Sequence, residues 1–169
     1  MKNCKVYFLY FFIFFVAIAC DDDFVVVESK NQNTENYFNT AEEYELALIG
    51  AYDMLQSTYL NVMLGEIASD NTLAGGENAT DTPGIQQIDD MIHTTSNQQL
   101  TDIWGWMFSG VNRANYILEF QDKIDFEGRL NIVAQARFLR AYYYFELVKW
   151  FGDVPLVVDS RITYGKQFE

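Results

Sequence analysis

Residues 135–157 read QARFLRAYYYFELVKWFGDVPLV, and this stretch decides how the chain folds. It is a helical run crowded with large apolar side chains that stops abruptly at Gly152-Asp153-Val154-Pro155. Phe138, Leu139, Tyr142, Tyr143, Phe145, Leu147, Trp150 and Phe151 occupy more than one face of such a helix. A helix that is apolar nearly all round is buried on more than one side, so it needs partners. Gly152 is placed to adopt a left-handed cap, and Pro155 prevents the helix from resuming. Val154 to Val158 then reads as a short extended segment. Arg137 and Arg140 are expected to lay their stems on this surface and keep their heads wet or paired.

Working upstream, two more helices are expected. Thr40 with Glu43 three residues on forms a capping-box pattern. Tyr44, Ala47, Leu48, Ala51, Tyr52, Leu55 and Tyr59 follow at three- and four-residue spacing. A second helix is expected from about Asn97 to Phe120, with Leu100, Ile103, Trp104, Met107, Phe108, Val111, Ala114 and Leu118 on one face. The third spans about Glu127 to Phe151, its inward stripe read as Leu130, Val133, Ala134, Phe138, Ala141, Tyr144, Phe145 and Val148. Met63 to Ala68 is a short apolar piece compatible with helix or strand. Ser69 to about Ser96 is rich in Asp, Asn, Thr and Gly and reads as a long polar loop. Loops of that length in a compact domain are either functional or mobile surface excursions. The fold class expected is all-α, with a long polar loop between helices.

The N-terminus changes how the bulk numbers are read. Lys2 and Lys5 precede an uncharged run, Val6 to Ile18, dense in Phe, Tyr, Ile and Val. That run is shorter than the roughly 20 residues a helix needs to span a bilayer. It ends in Ala17 and Ala19 before Cys20, the layout of a secretory signal. Residues 1–19 are therefore expected to be a leader, 20–39 a polar tether beginning Cys20-Asp21-Asp22-Asp23, and 40–169 a helical domain. Cys4 leaves with the leader, so no cysteine pair remains for a disulfide or thiolate metal site.

The formal net charge is −13, which argues against nucleic acid as a partner because that needs a basic face. Enzyme chemistry finds little purchase. His93 is the lone histidine and stands in a polar segment without a nucleophile pattern. Asp89-Asp90 and Asp21 to Asp23 are adjacent acids, which usually mean solvated charge. No EF-hand spacing, phosphate loop, dinucleotide fingerprint or metal-ligand cluster appears, and no cofactor is expected.

Three blocks carry a family resemblance. Arg137-Phe138-Leu139-Arg140-Ala141-Tyr142-Tyr143-Tyr144-Phe145 with Phe151-Gly152-Asp153-Val154-Pro155-Leu156 is the main one. Trp104, Phe108 and Asn112-Arg113-Ala114-Asn115-Tyr116-Ile117-Leu118 form the second, and Gly65-Glu66-Ile67-Ala68-Ser69-Asp70 a weaker third. Together they resemble the SusD/RagB family of nutrient-binding outer-membrane lipoproteins of Bacteroidetes. The segment before Cys20 resembles a lipobox, although Ala17 stands where Leu is usual, and Asp21-Asp22-Asp23 resembles an acidic surface-export tag.

The resemblance implies a non-enzymatic protein, lipid-anchored through Cys20 at the outer membrane and exposed on the cell surface. It would capture oligosaccharides or peptides and pass them to a SusC-type TonB-dependent transporter. It also implies tetratricopeptide-like helix pairs, with this chain an N-terminal portion exposing apolar surface that a longer protein buries. Asp70, Asn71 and Asn78, in or beside the polar loop, and Trp106, beside the apolar stripe, are the candidate ligand contacts. Aromatic faces suit the apolar faces of sugars, and amides and carboxylates suit their hydroxyls. Trp104 is expected in the core. The alternatives are a lipid-anchored helical-repeat scaffold without a ligand site, or a non-functional truncated copy.

Overall fold

The computed structural model describes residues 36–78 and 80–158. The leader, Cys20 and most of the polar tether lie outside the described residues. The chain divides into two units, Met1–Tyr37 and Phe38–Glu169, and among the described residues the regular elements belong to the second. All of these elements are helical: α1 Ala41–Asp53, a 3₁₀ segment Met54–Ser57, α2 Thr58–Ile67, α3 Pro83–Asp89, α4 Gln98–Glu119 and α5 Arg129–Phe151.

Local chemistry explains where the helices begin. The Thr40 hydroxyl accepts from the Glu43 amide at 3.3 Å, and the Glu43 carboxylate accepts from the Thr40 amide at 3.0 Å. This reciprocal box satisfies two donors that the first turn of α1 would leave unpaired. Asn97 caps α4 through its side-chain oxygen, which accepts from the amides of Gln99 and Leu100 at 3.1 and 3.3 Å. At the far end of α5, Gly152 takes φ 68°, ψ −126°, a positive-φ conformation outside the left-handed helical well expected of it. Only glycine enters that region readily.

The core is a three-helix layer in which α4 and α5 pack along their length and α1 lies against both. Tyr44, Leu48 and Ala51 of α1 meet Ile103, Met107, Val111, Ala114 and Ile117 of α4 and Ile132, Ala136, Leu139, Tyr143 and Leu147 of α5, all buried. Close approach depends on Gly110. A β-carbon there would stand 2.6 Å from the Tyr143 ring. The Tyr143 hydroxyl in turn donates to the Ala51 carbonyl at 2.5 Å, so one side chain joins all three helices. Burial pushes the Tyr143 phenol well above its ordinary pKa. Phe38, with φ 65°, is fully buried against Tyr44, Tyr116 and Phe120.

Of the two readings open for Met63 to Ala68 the helical one holds, as far as Ile67 at the end of α2. Two expectations need correction. The polar loop is shorter than read, because α3 rises inside it with Pro83 at its first turn, where a missing amide costs nothing. The second correction concerns α5. The stripe read as inward is largely the outward one: Leu130, Phe138, Phe145 and Val148 are exposed, while the opposite face carries the core. Both faces are apolar, so periodicity finds the helix without choosing its inner side.

The segment after α5 is extended and clamped. Asn115 donates to the Val157 carbonyl at 2.9 Å, and Arg140 donates to Asn115 and to the Val158 carbonyl at 2.9 and 2.8 Å. The Tyr144 hydroxyl accepts from the Val157 amide at 2.8 Å. Arg140 is thus paired rather than solvated. Among the described residues, no helix is long and apolar enough to cross a membrane.

Candidate functional site

A cleft forms where the chain turns out of α1. Asp53, Met54, Gln56, Ser57, Tyr59 and Leu60 line one side and Trp106 of α4 the other, enclosing about 340 Å³. That is near the lower end of the range for small-molecule pockets. Its shape follows from a break in helical structure. Gln56-Ser57-Thr58 interrupts the apolar spacing, and the backbone tightens into the 3₁₀ segment before resuming as α2. The Ser57 hydroxyl donates to the Met54 carbonyl at 2.5 Å, a local bond of the kind that draws serine out of regular helix. The break releases Tyr59 from the inward stripe assigned to it, and the side chain is 77% exposed.

Trp106 reaches the cleft because of its place on α4. It precedes the buried Met107 and follows the buried Ile103 by three, so it flanks the inward stripe and is 38% exposed. Trp104 flanks the other side at 36%, against Phe108 and Phe151. Trp104 is therefore a boundary residue and not the core residue expected. The two tryptophans differ in what they face, not in how much they show.

The polar part of the cleft is held in place. Gln56 donates its amide to the Asp53 carboxylate at 2.7 Å. Arg113 approaches the other Asp53 oxygen at 3.4 Å and also donates to the Gly50 carbonyl. With both groups more than two-fifths exposed, that ion pair positions more than it stabilises. The α2 end of the first side is anchored from behind: Asn61 donates to the buried Glu146 carboxylate of α5 and accepts from the Trp150 indole. Lys149 pairs with the same carboxylate at 2.6 Å. Thr58 and the Tyr142 hydroxyl share a hydrogen bond at 3.2 Å. The cleft thus offers two aromatic faces, a carboxylate, a primary amide and a hydroxyl on a braced frame. That combination suits a ring with apolar faces and hydroxyl edges.

The other sequence candidates lie elsewhere. Asp70 and Asn71 are exposed just after α2, where the Asn71 amide donates to Ser69 Oγ at 3.4 Å. Asn78 spends its side-chain oxygen on Thr80, accepting from its amide and hydroxyl at 2.9 and 2.6 Å. Within the same loop Asp89 accepts from the Ala74 amide at 2.9 Å, and Asn97 donates to the Gly84 carbonyl at 2.8 Å. The loop is stitched to itself and to the cap of α4. None of its three candidates lines the cleft with Trp106. Sequence reading missed Asp53, Gln56 and Tyr59; the run of three polar residues at 56–58 was the signal available.

A second depression, of about 250 Å³, is lined by Asn115, Gln121, Arg137 and Arg140 among others. Its guanidinium groups are occupied: Arg140 as described, and Arg137 by the Gln121 side-chain carbonyl at 3.3 Å. Among the described residues no cluster of three His, Cys, Asp or Glu side chains could hold a metal ion.

Comparison with known proteins gives a consistent set of matches. Residues 23–166 match a family model named SusD-like and described as starch-binding, associating with the outer membrane. SusD-like protein P38 of Formosa agariphila is 27% identical over 166 residues, covering 97% of this chain and 32% of that protein. SusD-like protein P25 of the same organism is 24% identical over 165 residues, covering 91% and 31% respectively. The chain thus spans about a third of the length of these relatives. No solved structure matches it.

Proposed function

The chain belongs to the SusD-like family, and from that premise we propose that it is a nutrient-binding protein of the outer membrane that takes up glycan. The observation carrying the glycan reading is the cleft whose lining brings Trp106 together with Tyr59, Asp53, Gln56 and Ser57. A sugar ring stacks its apolar face on an aromatic platform while its hydroxyls bond to the carboxylate and amide. Peptide has less to recommend it here, because the cleft presents no exposed strand edge to extend. The cleft binds rather than cleaves. Glycoside hydrolysis needs two carboxyl groups facing each other at roughly 5 to 9.5 Å, and the lining includes one carboxylate, Asp53, engaged with Gln56 and Arg113.

In this reading Cys20 carries the lipid that holds the protein at the cell surface. Two or more acyl chains give stable attachment, each buried methylene contributing about 0.8 kcal/mol. A SusC-type TonB-dependent transporter receives the captured ligand. Palmitate labelling of wild type against Cys20→Ala tests the anchor, and equal labelling of the two refutes it. Copurification from the outer membrane tests the transporter.

The decisive experiment is isothermal titration against malto-oligosaccharides and a wider glycan panel. Trp106→Ala is expected to weaken binding about tenfold or more, equivalent to roughly 1.4 kcal/mol. A variant carrying Asp70→Ala, Asn71→Ala and Asn78→Ala together is expected to bind as wild type. The opposite pattern would move the site to the loop. Absence of binding to every glycan would overturn the reading.

A further inference from the structure

The charge around the Trp106 cleft is one-sided. Among the described residues its lining holds one acid, Asp53, and no lysine, arginine or histidine. Asp102 stands one turn before Trp106 on the same side of α4, adding a second carboxylate along that wall. The cation that approaches Asp53 is Arg113, and it is committed to the frame. It pairs with Asp53 at 3.4 Å, donates to the Gly50 carbonyl and is not part of the lining.

The chemistry of Asp53 then sorts the ligands that can enter. An ionised carboxylate accepts hydrogen bonds at both oxygens and donates none. Gln56 donates to one oxygen at 2.7 Å and Arg113 approaches the other, so each oxygen retains a lone pair for a ligand. The side chain is 54% exposed, which leaves it open to that ligand. A sugar hydroxyl brings the proton this carboxylate needs. A uronate carboxylate or a sulfate ester brings acceptors alone, together with a charge of the same sign. Two like charges about 4 Å apart weaken binding about fivefold even at the dielectric constant of water, and further against a protein wall. The formal charge of −13 on the whole chain repels an anion before it arrives.

We infer that Asp53 is the specificity-determining residue of the cleft, admitting uncharged sugar units and rejecting uronate and sulfated ones. The Gln56 and Arg113 contacts hold its carboxylate in place, and its remaining lone pairs read ligand hydroxyls. This deepens the glycan reading of the same cleft and rests on it.

The test titrates the purified protein with matched glycans that differ only in oxidation at C6. One pair is a malto-oligosaccharide and its C6-oxidised form; the other is carboxyl-reduced oligogalacturonate and oligogalacturonate itself. At low salt the neutral member of a pair is expected to bind about tenfold or more tighter. High salt should narrow that gap by screening the repulsion, a readout that needs no variant. Asp53→Asn should narrow it too, weakening the neutral member and strengthening the acidic one, whereas Asp53→Glu should keep the preference. Trp106→Ala should weaken whichever members bind, which ties the preference to this cleft. Equal binding within the pairs overturns the inference and leaves the glycan reading standing. Tighter uronate binding does the same and hands recognition to Arg113. Asp53→Asn weakening both members alike, with the ratio unchanged, also overturns it, because Asp53 would then only shape the site. Failure of every glycan, neutral and acidic, overturns both readings together.

Discussion

Replacing Gly110 with alanine tests the packing of the whole core through one methyl group. In a helix interior alanine is intrinsically favoured over glycine by about 1 kcal/mol. At position 110 the added β-carbon would meet three atoms of the Tyr143 ring at 2.6 to 2.7 Å, closer than any real contact. The ring has no free direction in which to yield, because it is fully buried and its hydroxyl is tied to the Ala51 carbonyl. Overpacking of this kind costs about 1 to 3 kcal/mol. Displacing the ring far enough to lose the Ala51 bond adds about 1 to 3 kcal/mol for the unsatisfied buried groups. After the propensity gain, Gly110→Ala should lose roughly 1–5 kcal/mol. Gly105, on the same helix with open space around it, is the internal control, and Gly105→Ala should gain up to about 1 kcal/mol. Urea unfolding followed by tryptophan fluorescence measures both, with an unchanged m-value licensing the comparison. Gly110→Ala with Tyr143→Leu should lose less than the single changes sum to. A Gly110→Ala protein as stable as wild type would refute the idea that this contact sets the spacing of α4 and α5.

Three further outcomes follow from the same interactions. Thr40→Ala should cost about 1 kcal/mol in urea unfolding, and Thr40→Ser only a few tenths, because serine keeps the capping oxygen. Asn61→Ala should cost about 2–3 kcal/mol by removing the donor to Glu146 and the acceptor for Trp150 together; a loss under about half a kcal/mol would show the network idle. Alkaline titration should destabilise the fold as pH rises above about 10. The native state holds the Tyr44, Tyr143 and Tyr144 phenols neutral, chiefly by burial, while unfolded tyrosines ionise there, so protons bind the native state more tightly and stability falls with pH. Tyr143→Phe should show a shallower loss between pH 9 and 11 in denaturant unfolding.

The helices α1, α4 and α5 were legible because their stripes hold period and Thr40 with Glu43 marks the start of α1, whereas α3 was hidden in a polar stretch too short to show a stripe. The inner side of α5 was not. Phe138 and Phe145 advertise burial as strongly as Leu139 and Leu147 do, and the room that Gly110 leaves for the Tyr143 ring lies on another helix, out of reach of a periodicity argument. Of the residues that line the cleft, sequence reading singled out Trp106 alone. Its companions Asp53, Gln56 and Tyr59 lie in or beside a tightened turn, and the polar run at 56–58 that marks the turn does not by itself say what would gather there. The loop residues Asp70, Asn71 and Asn78 drew notice for their polarity, yet Asn78 spends its side-chain oxygen on its own turn.

Phe38 has a mechanical consequence. It enters the core in a left-handed backbone conformation that costs a non-glycine residue about 1–2 kcal/mol, and three aromatic rings grip it. Two residues later the Thr40 box locks the start of α1. Tension applied to the chain at Asn36 would therefore reach this plug before α1, and α1 would unravel only after the ring had been drawn out. A protein tethered by its N-terminus would carry load there as a toggle bolt does, through a part that must turn before it can leave.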